Sequence, residues 1–323
     1  NAAWDTEYAS WDDVMPMTLD EAREAENPAP WAEHRDFMDT TVASFMDFVR
    51  GTVREVDPEA RVGMSGTQAA RAGNGMDWWK MSNVFDHYIS YNTAWSNEMR
   101  RSFADDTIVR QAPYNAGYWQ SGRRLENRMW WCMLHDTIGI GAWTTHLFFY
   151  GDFTFSEAGR DTRDNLREMR EGLWAQVEQG ERDNDGIALH YSQPTIRAAK
   201  LTDRIEELEA VRDAWVKLLE DLGLQYEFVA SGQIEQGHLQ DAGYRLLILP
   251  DSPALSEEES AQIRQFVEAG GTVLADMRAA LMDDRCRTNV SPGLDDLFGI
   301  RHAEPTGRPP ASDASGFLIS FEH

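Results

Sequence analysis

Aromatic and amide side chains gather in three short runs of this sequence. They are Tyr91-Asn92-Thr93-Ala94-Trp95-Ser96-Asn97-Glu98, then Arg110 to Trp119 with Tyr114, Asn115 and Tyr118 inside it, and Trp143-Thr144-Thr145-His146 with Tyr150-Gly151-Asp152. Each run follows a strand pattern. Tyr, Trp and Asn at strand ends suit a carbohydrate, because sugar C–H faces stack on rings while amides hydrogen-bond hydroxyls; the other reading is that the rings are core or subunit contacts. Cleaving a glycosidic bond would need two carboxyl groups facing each other across it, one protonated and one ionised. With 55 Asp and Glu, abundance alone selects none of them.

Other chemistries lack their residues. The eight histidines include no HExxH pair, so neither a metal nor a cofactor is expected. His146 reads as a substrate contact or as a satisfied core histidine, and His135-Asp136 as a dyad or as a cationic cap on a helix end. No G-x-S-x-G elbow is present, Gly63-Met64-Ser65-Gly66 being the nearest run. Tyr191-Ser192-Gln193-Pro194 follows the first strand of the second part and offers no glycine-rich cradle for a pyrophosphate.

The elements that must position these groups alternate in type. Helical spacing over Phe37–Val56 stops at Asp57-Pro58, and a strand follows at Arg61–Ser65. A short helix Trp78–Asn83, a strand Phe85–Tyr91, a helix Glu98–Phe103 and a strand Thr107–Gln111 come next. A helix Arg124–Asp136, a strand Gly141–Phe149 and a helix Arg163–Val177 complete the first part. Strands separated by helices imply a parallel sheet, and four such units match half of an eight-stranded barrel. The second part reads as an open doubly wound sheet: strands Gly186–Tyr191, Gln225–Val229, Arg245–Pro250 and Thr272–Asp276, with helices Leu201–Leu222 and one capped by Ser256. All but one of the 12 tryptophans lie at or before Trp174, and the polar run Glu178–Gly186 marks the change between domains 1–180 and 186–323.

The net charge is −25, and Lys80, Lys200 and Lys217 are the only lysines among 30 basic residues. Such a surface repels phosphate backbones and anionic headgroups, so neither nucleic acid nor membrane is an expected partner. It resembles the composition of proteins from salt-loving organisms; an ordinary acidic protein encoded by GC-rich DNA is the alternative. Cys132 and Cys286 are too few for a disulfide scaffold, which fits a reducing, cytoplasmic compartment. No apolar run of about 18 residues occurs. Asn1-Ala2-Ala3-Trp4-Asp5 has neither an initiating Met nor a signal segment, and residues 316–323 read as a strand interrupted before its partner, so a piece of a longer chain is expected.

Several runs resemble a known family. Tyr244–Pro250, Leu255-Ser256-Glu257-Glu258, Ile263–Gly271, Thr272–Ala275 and Gly293–Ile300 are similar to the trimerisation domain of glycoside hydrolase family 42 beta-galactosidases. Asn1–Asp13, Arg128-Met129-Trp130, Gly141–Phe149 and Gly159–Arg163 resemble the second half of that family's barrel. The resemblance implies an α/β fold: the C-terminal half of a TIM barrel (strands five to eight), then a flavodoxin- or amidotransferase-like domain. It further implies hydrolysis of β-galactosides with retention, and a homotrimer. The family's acid/base Glu would lie upstream of Asn1. Its nucleophile Glu aligns with Arg110, in Val109-Arg110-Gln111-Ala112-Pro113, and an arginine cannot attack an anomeric carbon. Either a nearby carboxylate such as Glu98 or Asp106 serves, or the chemistry has diverged, or the protein binds sugar without cleaving it. The expected sugar-contacting residues are Tyr91, Asn92, Trp95, Arg110, Tyr114, Trp119, Trp143 and His146.

Overall fold

The computed structural model describes residues 4–90, 94–103, 109–110, 114–116, 122–135, 141–142, 148–180, 183–276, 278–289, 293–302 and 319–321. The chain divides into two compact units, one of residues 1–41, 70–77 and 184–323 and the other of residues 42–69 and 78–183.

Helix α1 (Leu19–Glu24) starts at a capping box in which Thr18 and Glu21 satisfy each other's backbone N–H groups. Helix α2 (Ala29–Val56) begins eight residues before the apolar spacing that marks it in the sequence. Asn27 Oδ1 accepts from Ala29 N at 3.1 Å, and Pro30 falls in the first turn, where its missing N–H costs nothing. Strand β1 (Gly63–Thr67), helix α3 (Trp78–Ser82), strand β2 (His87–Ser90), helix α4 (Ala94–Phe103) and strand β3 (Val109–Arg110) follow. The three strands form a parallel sheet in the order β1-β2-β3. Gly63 has no substitute here, because a Cβ would sit 1.9 Å from the His87 carbonyl oxygen of the paired strand. Strand β4 (Tyr114–Ala116), helix α5 (Gly122–Leu134) and strand β5 (Gly141–Ala142) come next, with β4 and β5 paired in parallel. The helix expected over Arg163–Val177 is two, α6 (Glu157–Glu171) and α7 (Trp174–Gln179), broken at Gly172. Leu125, Met129 and Met133 of α5 bury against Phe148 and Met169 of α6. Parallel strands joined by helices are those of a partial TIM barrel.

The later unit is built on strand β6 (Ile187–Tyr191). Helix α8 (Gln193–Leu201) follows, capped by Ser192 and missed in the sequence, where helix was expected from Leu201 onward. It ends in a turn that puts Asp203 at φ +61°, and α9 (Ile205–Asp221) starts afresh. Then come β7 (Tyr226–Ala230), the short helices α10 (Ser231–Glu235) and α11 (His238–Asp241), β8 (Leu246–Leu249), α12 (Glu257–Glu268) and β9 (Thr272–Ala275). All pairings are parallel and the strand order is β7-β6-β8-β9, the flavodoxin-like order. Every residue of the inner strand β6 is buried, whereas the edge strand β9 alternates exposed and half-buried. The core joins Val229, Leu247 and Leu249 to Ile263 and Phe266.

Early residues belong to this unit through buried ion pairs. Arg197 on α8 reaches Asp36 and Asp39 on α2, each at 2.8 Å, with Arg197 and Asp39 almost wholly enclosed. Arg23 donates to the carbonyls of Lys200 and Leu201 at the end of α8, the first of which also accepts from Asp203 N. After α13 (Asp295–Phe298), strand β10 (Ile300–His302) pairs antiparallel with β11 (Ile319–Phe321). The C-terminal strand therefore has its partner within the chain, contrary to the sequence expectation.

Candidate functional site

Helix α4 carries the described part of the first aromatic and amide run, from Ala94 onward. Its sequence Trp95-Ser96-Asn97-Glu98-Met99-Arg100 is buried at every position, an unusual environment for four polar side chains in a row of six. Trp95, 2% exposed, meets Trp78 edge to face with centroids 6.1 Å apart, and Trp78 Nε1 donates to the Gln68 carbonyl at 2.9 Å. Asn97 Oδ1 accepts from Arg100 one turn on, while Asn97 Nδ2 has no hydrogen-bond partner among the described residues.

Glu98 is fully buried, with Arg101 and His135 beside its carboxyl group. Arg101 donates to Oε2 through Nε at 3.0 Å and Nη2 at 2.8 Å, and His135 Nε2 lies 3.6 Å from Oε1. The α5 end fixes the histidine. Its Nδ1 is 2.7 Å from the Trp131 carbonyl, which can only accept, so Nδ1 carries a proton. The imidazole stacks on Trp131 at 4.0 Å, and Arg128 lies over the same indole at 4.7 Å. His135 is thus tied to its own helix end and, through Glu98, to α4. One oxygen of Glu98 takes both hydrogen bonds from Arg101.

The other expected site residues are distributed differently. Arg110 ends β3 and Tyr114 begins β4, but only their backbones are described; Tyr88 of β2 is the register partner of Arg110 and Gly141 of β5 that of Tyr114. Tyr91, Asn92, Asp106, Trp119, Trp143 and His146 lie outside the described residues. Among the described residues no group of three or more His, Cys, Asp or Glu is placed to hold a metal ion, and no helix is long and apolar enough to cross a membrane.

The later unit holds a polar cluster that sequence reasoning missed. His190, at the end of β6, has Ser252 Oγ 2.9 Å from Nδ1 and Glu259 Oε1 3.0 Å from Nε2. A carboxylate only accepts, so Nε2 carries the hydrogen and Nδ1 accepts from Ser252. Glu259 Oε2 also takes the Ser256 N–H at 2.9 Å, so one carboxylate closes the α12 capping box and anchors β6. Serine, histidine and glutamate in line resemble a hydrolytic triad, but all three are at most 3% exposed and a substrate has no access. The signal was present as Ser256-Glu257-Glu258-Glu259, where only the third acid falls at N3. Beside it, at the end of β8, Asp251 adopts φ +39° and pairs with Arg278 while its N–H donates to Asp276. Burial pushes the Asp251 carboxyl upward, against the opposing pull of Arg278.

Comparison with known proteins bears on the fold. Residues 187–315 match the family model described as the beta-galactosidase trimerisation domain. The cold-adapted beta-galactosidase from a Rahnella species superposes with a TM-score of 0.73 at 14% identity, over 94% of this chain and 50% of that one. The beta-galactosidase from Bacillus circulans sp. alkalophilus gives 0.70 at 14% identity over the same shares. The family 42 exo-carrageenase from Bacteroides ovatus gives 0.67 at 12% identity, over 90% of this chain and 44% of that one. No curated protein matches the sequence. The chain spans about half the length of the solved structures it matches. It therefore has the architecture of part of a glycoside hydrolase family 42 beta-galactosidase, a partial barrel followed by a beta-galactosidase trimerisation domain.

Proposed function

We propose that this chain is part of a glycoside hydrolase that cleaves β-galactosides with retention and assembles as a homotrimer through residues 187–315. The observation that carries the reading is the shared architecture over 94% of the chain together with the trimerisation-domain match. Retention takes two steps. A carboxylate attacks the anomeric carbon while the leaving oxygen takes a proton from a second carboxyl, and water then releases the sugar with the proton flow reversed. Asp106 and Glu98 are the nucleophile candidates on this chain, and the full burial of Glu98 beside Arg101 weighs towards Asp106. Tyr91, Asn92, Arg110, Tyr114, Trp119, Trp143 and His146 are the candidates for holding the sugar, whereas Trp95, expected among them, is buried against Trp78. The acid/base belongs to sequence outside this chain. Two unpaired cysteines favour a reducing compartment such as the cytoplasm.

A second reading, a non-catalytic carbohydrate-binding or assembly protein on the same scaffold, is favoured by Arg110 at the place where the family resemblance puts the nucleophile. One experiment separates the two. The whole protein is assayed on nitrophenyl glycosides beside Glu98→Gln and Asp106→Asn, with sugar binding measured in parallel. Turnover in the parent, lost in one variant with binding kept, supports the hydrolase; binding without turnover on any glycoside supports the second reading. Sedimentation of the whole protein as a monomer or dimer would exclude the trimer.

A further inference from the structure

In a doubly wound sheet a ligand takes the crevice at the carboxyl ends of the strands where the strand order reverses, here between β6 and β8. The run Tyr191-Ser192-Gln193-Pro194 leaves that point without a phosphate cradle, and its side chains are engaged elsewhere in the chain. Gln193 Nε2 donates to the Arg71 carbonyl at 3.2 Å. Gln193 Oε1 accepts from the Tyr191 hydroxyl at 3.1 Å, and the same hydroxyl lies 3.5 Å from Asp77 Oδ1. The Arg71 guanidinium pairs with Glu209 of α9 at 3.2 Å.

Residues 70–77 come from the loop that joins β1 to α3, yet they are compact with the later unit. A loop normally stays at the surface because its backbone polar groups need water. Here Ala70, Ala72, Met76 and Asp77 are at most 8% exposed, and Asn74 Oδ1 accepts from Met76 N at 3.1 Å within the loop. Tyr191 and Gln193 are buried as well. The Arg71 carbonyl can only accept, so the amide nitrogen of Gln193 faces it and the amide oxygen takes the Tyr191 hydrogen. One enclosed side chain therefore fixes the loop backbone. Loops that leave the carboxyl ends of barrel strands build the face where barrel enzymes bind substrate, and the β1–α3 loop is one of them.

We propose that Gln193 is a positioning residue for sugar binding: through the Arg71 carbonyl it holds the β1–α3 loop in the conformation that receives a β-galactoside. The inference rests on the hydrolase reading above and adds to it a residue of the second domain on which sugar affinity depends. Gln193 is buried and acts through the loop alone.

The whole protein and its Gln193→Leu variant are compared by limited trypsin digestion and by sugar affinity. Trypsin cuts after Arg71, at the carbonyl that Gln193 holds, and the rate of cutting follows the fraction of molecules with the loop released. Release in about nine molecules of ten would speed that cleavage and lower the affinity for a thiogalactoside, which is bound without being cleaved, about tenfold. The KM for a nitrophenyl β-galactoside should rise by the same factor with kcat kept within about twofold, a split that general loss of structure does not produce. Glu209→Gln removes only the partly exposed ion pair to Arg71, so it should move cleavage and affinity the same way by about twofold, and it decides the matter if Gln193→Leu does not fold. Cleavage after Arg71 no faster than in the parent, or faster cleavage with thiogalactoside affinity unchanged, would overturn the proposal. A parent that binds the thiogalactoside without turning over any galactoside sinks the hydrolase reading alone. A parent that does not bind it overturns both.

Discussion

Glu259 offers the sharpest test of the later unit's energetics. Its buried carboxylate satisfies two donors, the Ser256 N–H at 2.9 Å and His190 Nε2 at 3.0 Å. Glu259→Ala strands both. A buried donor left without an acceptor costs about 1–3 kcal/mol, and the two together about 3–4 kcal/mol, since Ser231 Oγ, 3.4 Å from Nε2, can recover part of the histidine's loss. Glu259→Gln keeps an oxygen for Ser256 but turns an amide donor toward Nε2. The imidazole proton must then move to Nδ1 and the Ser252 hydroxyl must turn away, which predicts a loss of about 1 kcal/mol and an exchange of the two ring-nitrogen NMR signals of His190. Because the chain holds two units, global melting would mix their transitions, so native-state hydrogen exchange at the β6 amides is the assay that isolates this sheet. A Glu259→Ala effect below about 1 kcal/mol, or an unchanged His190 tautomer in Glu259→Gln, would refute the assignment of one carboxylate to both cap and histidine.

Three further outcomes are expected. Burial raises the Glu235 carboxyl above its ordinary value, opposed by the Ser256 hydroxyl bond at 2.7 Å. A carboxyl raised on folding binds its proton more tightly in the folded state, so its charge costs stability at neutral pH. Glu235→Gln should therefore stabilise at pH 7, and the gain should vanish as pH falls through the raised value toward the unfolded one, about 4.3; a gain independent of pH would contradict this. Burial pushes the Cys286 thiol up to about 12, and Cys132 is buried as well, so a thiol reagent should label neither in the folded protein and both after denaturation. Acidic surplus predicts a melting temperature that rises from low to molar salt, and a flat response would remove the salt-adaptation reading.

The fold was legible wherever burial and period agree. Strand β6 is an apolar run because it is enclosed between two neighbours, and Ser256 announced α12 because a cap has a local signature. Helix α8 was not, because Pro194 and Thr195 in its first turn are poor helix formers and the turn is held by the Ser192 cap and by burial. The early residues that join the later unit were illegible for a different reason. Asp36, Asp39 and Arg197 are some 160 positions apart, and no pattern in either segment names the other.

Function is harder to read than fold because a polar side chain looks the same in sequence whether it faces substrate or core. Trp95 stands in an aromatic run that invites a sugar, yet its ring closes on Trp78; Glu259 stands in a run of surface acids, yet it is the one that turns inward. In both cases a helical phase of one residue decides, since the exposed Glu257 and Glu258 and the buried Glu259 differ only in their angle about α12. Arg163, Arg167 and Arg170 of α6 likewise share one face only because their spacing follows 3.6 residues per turn.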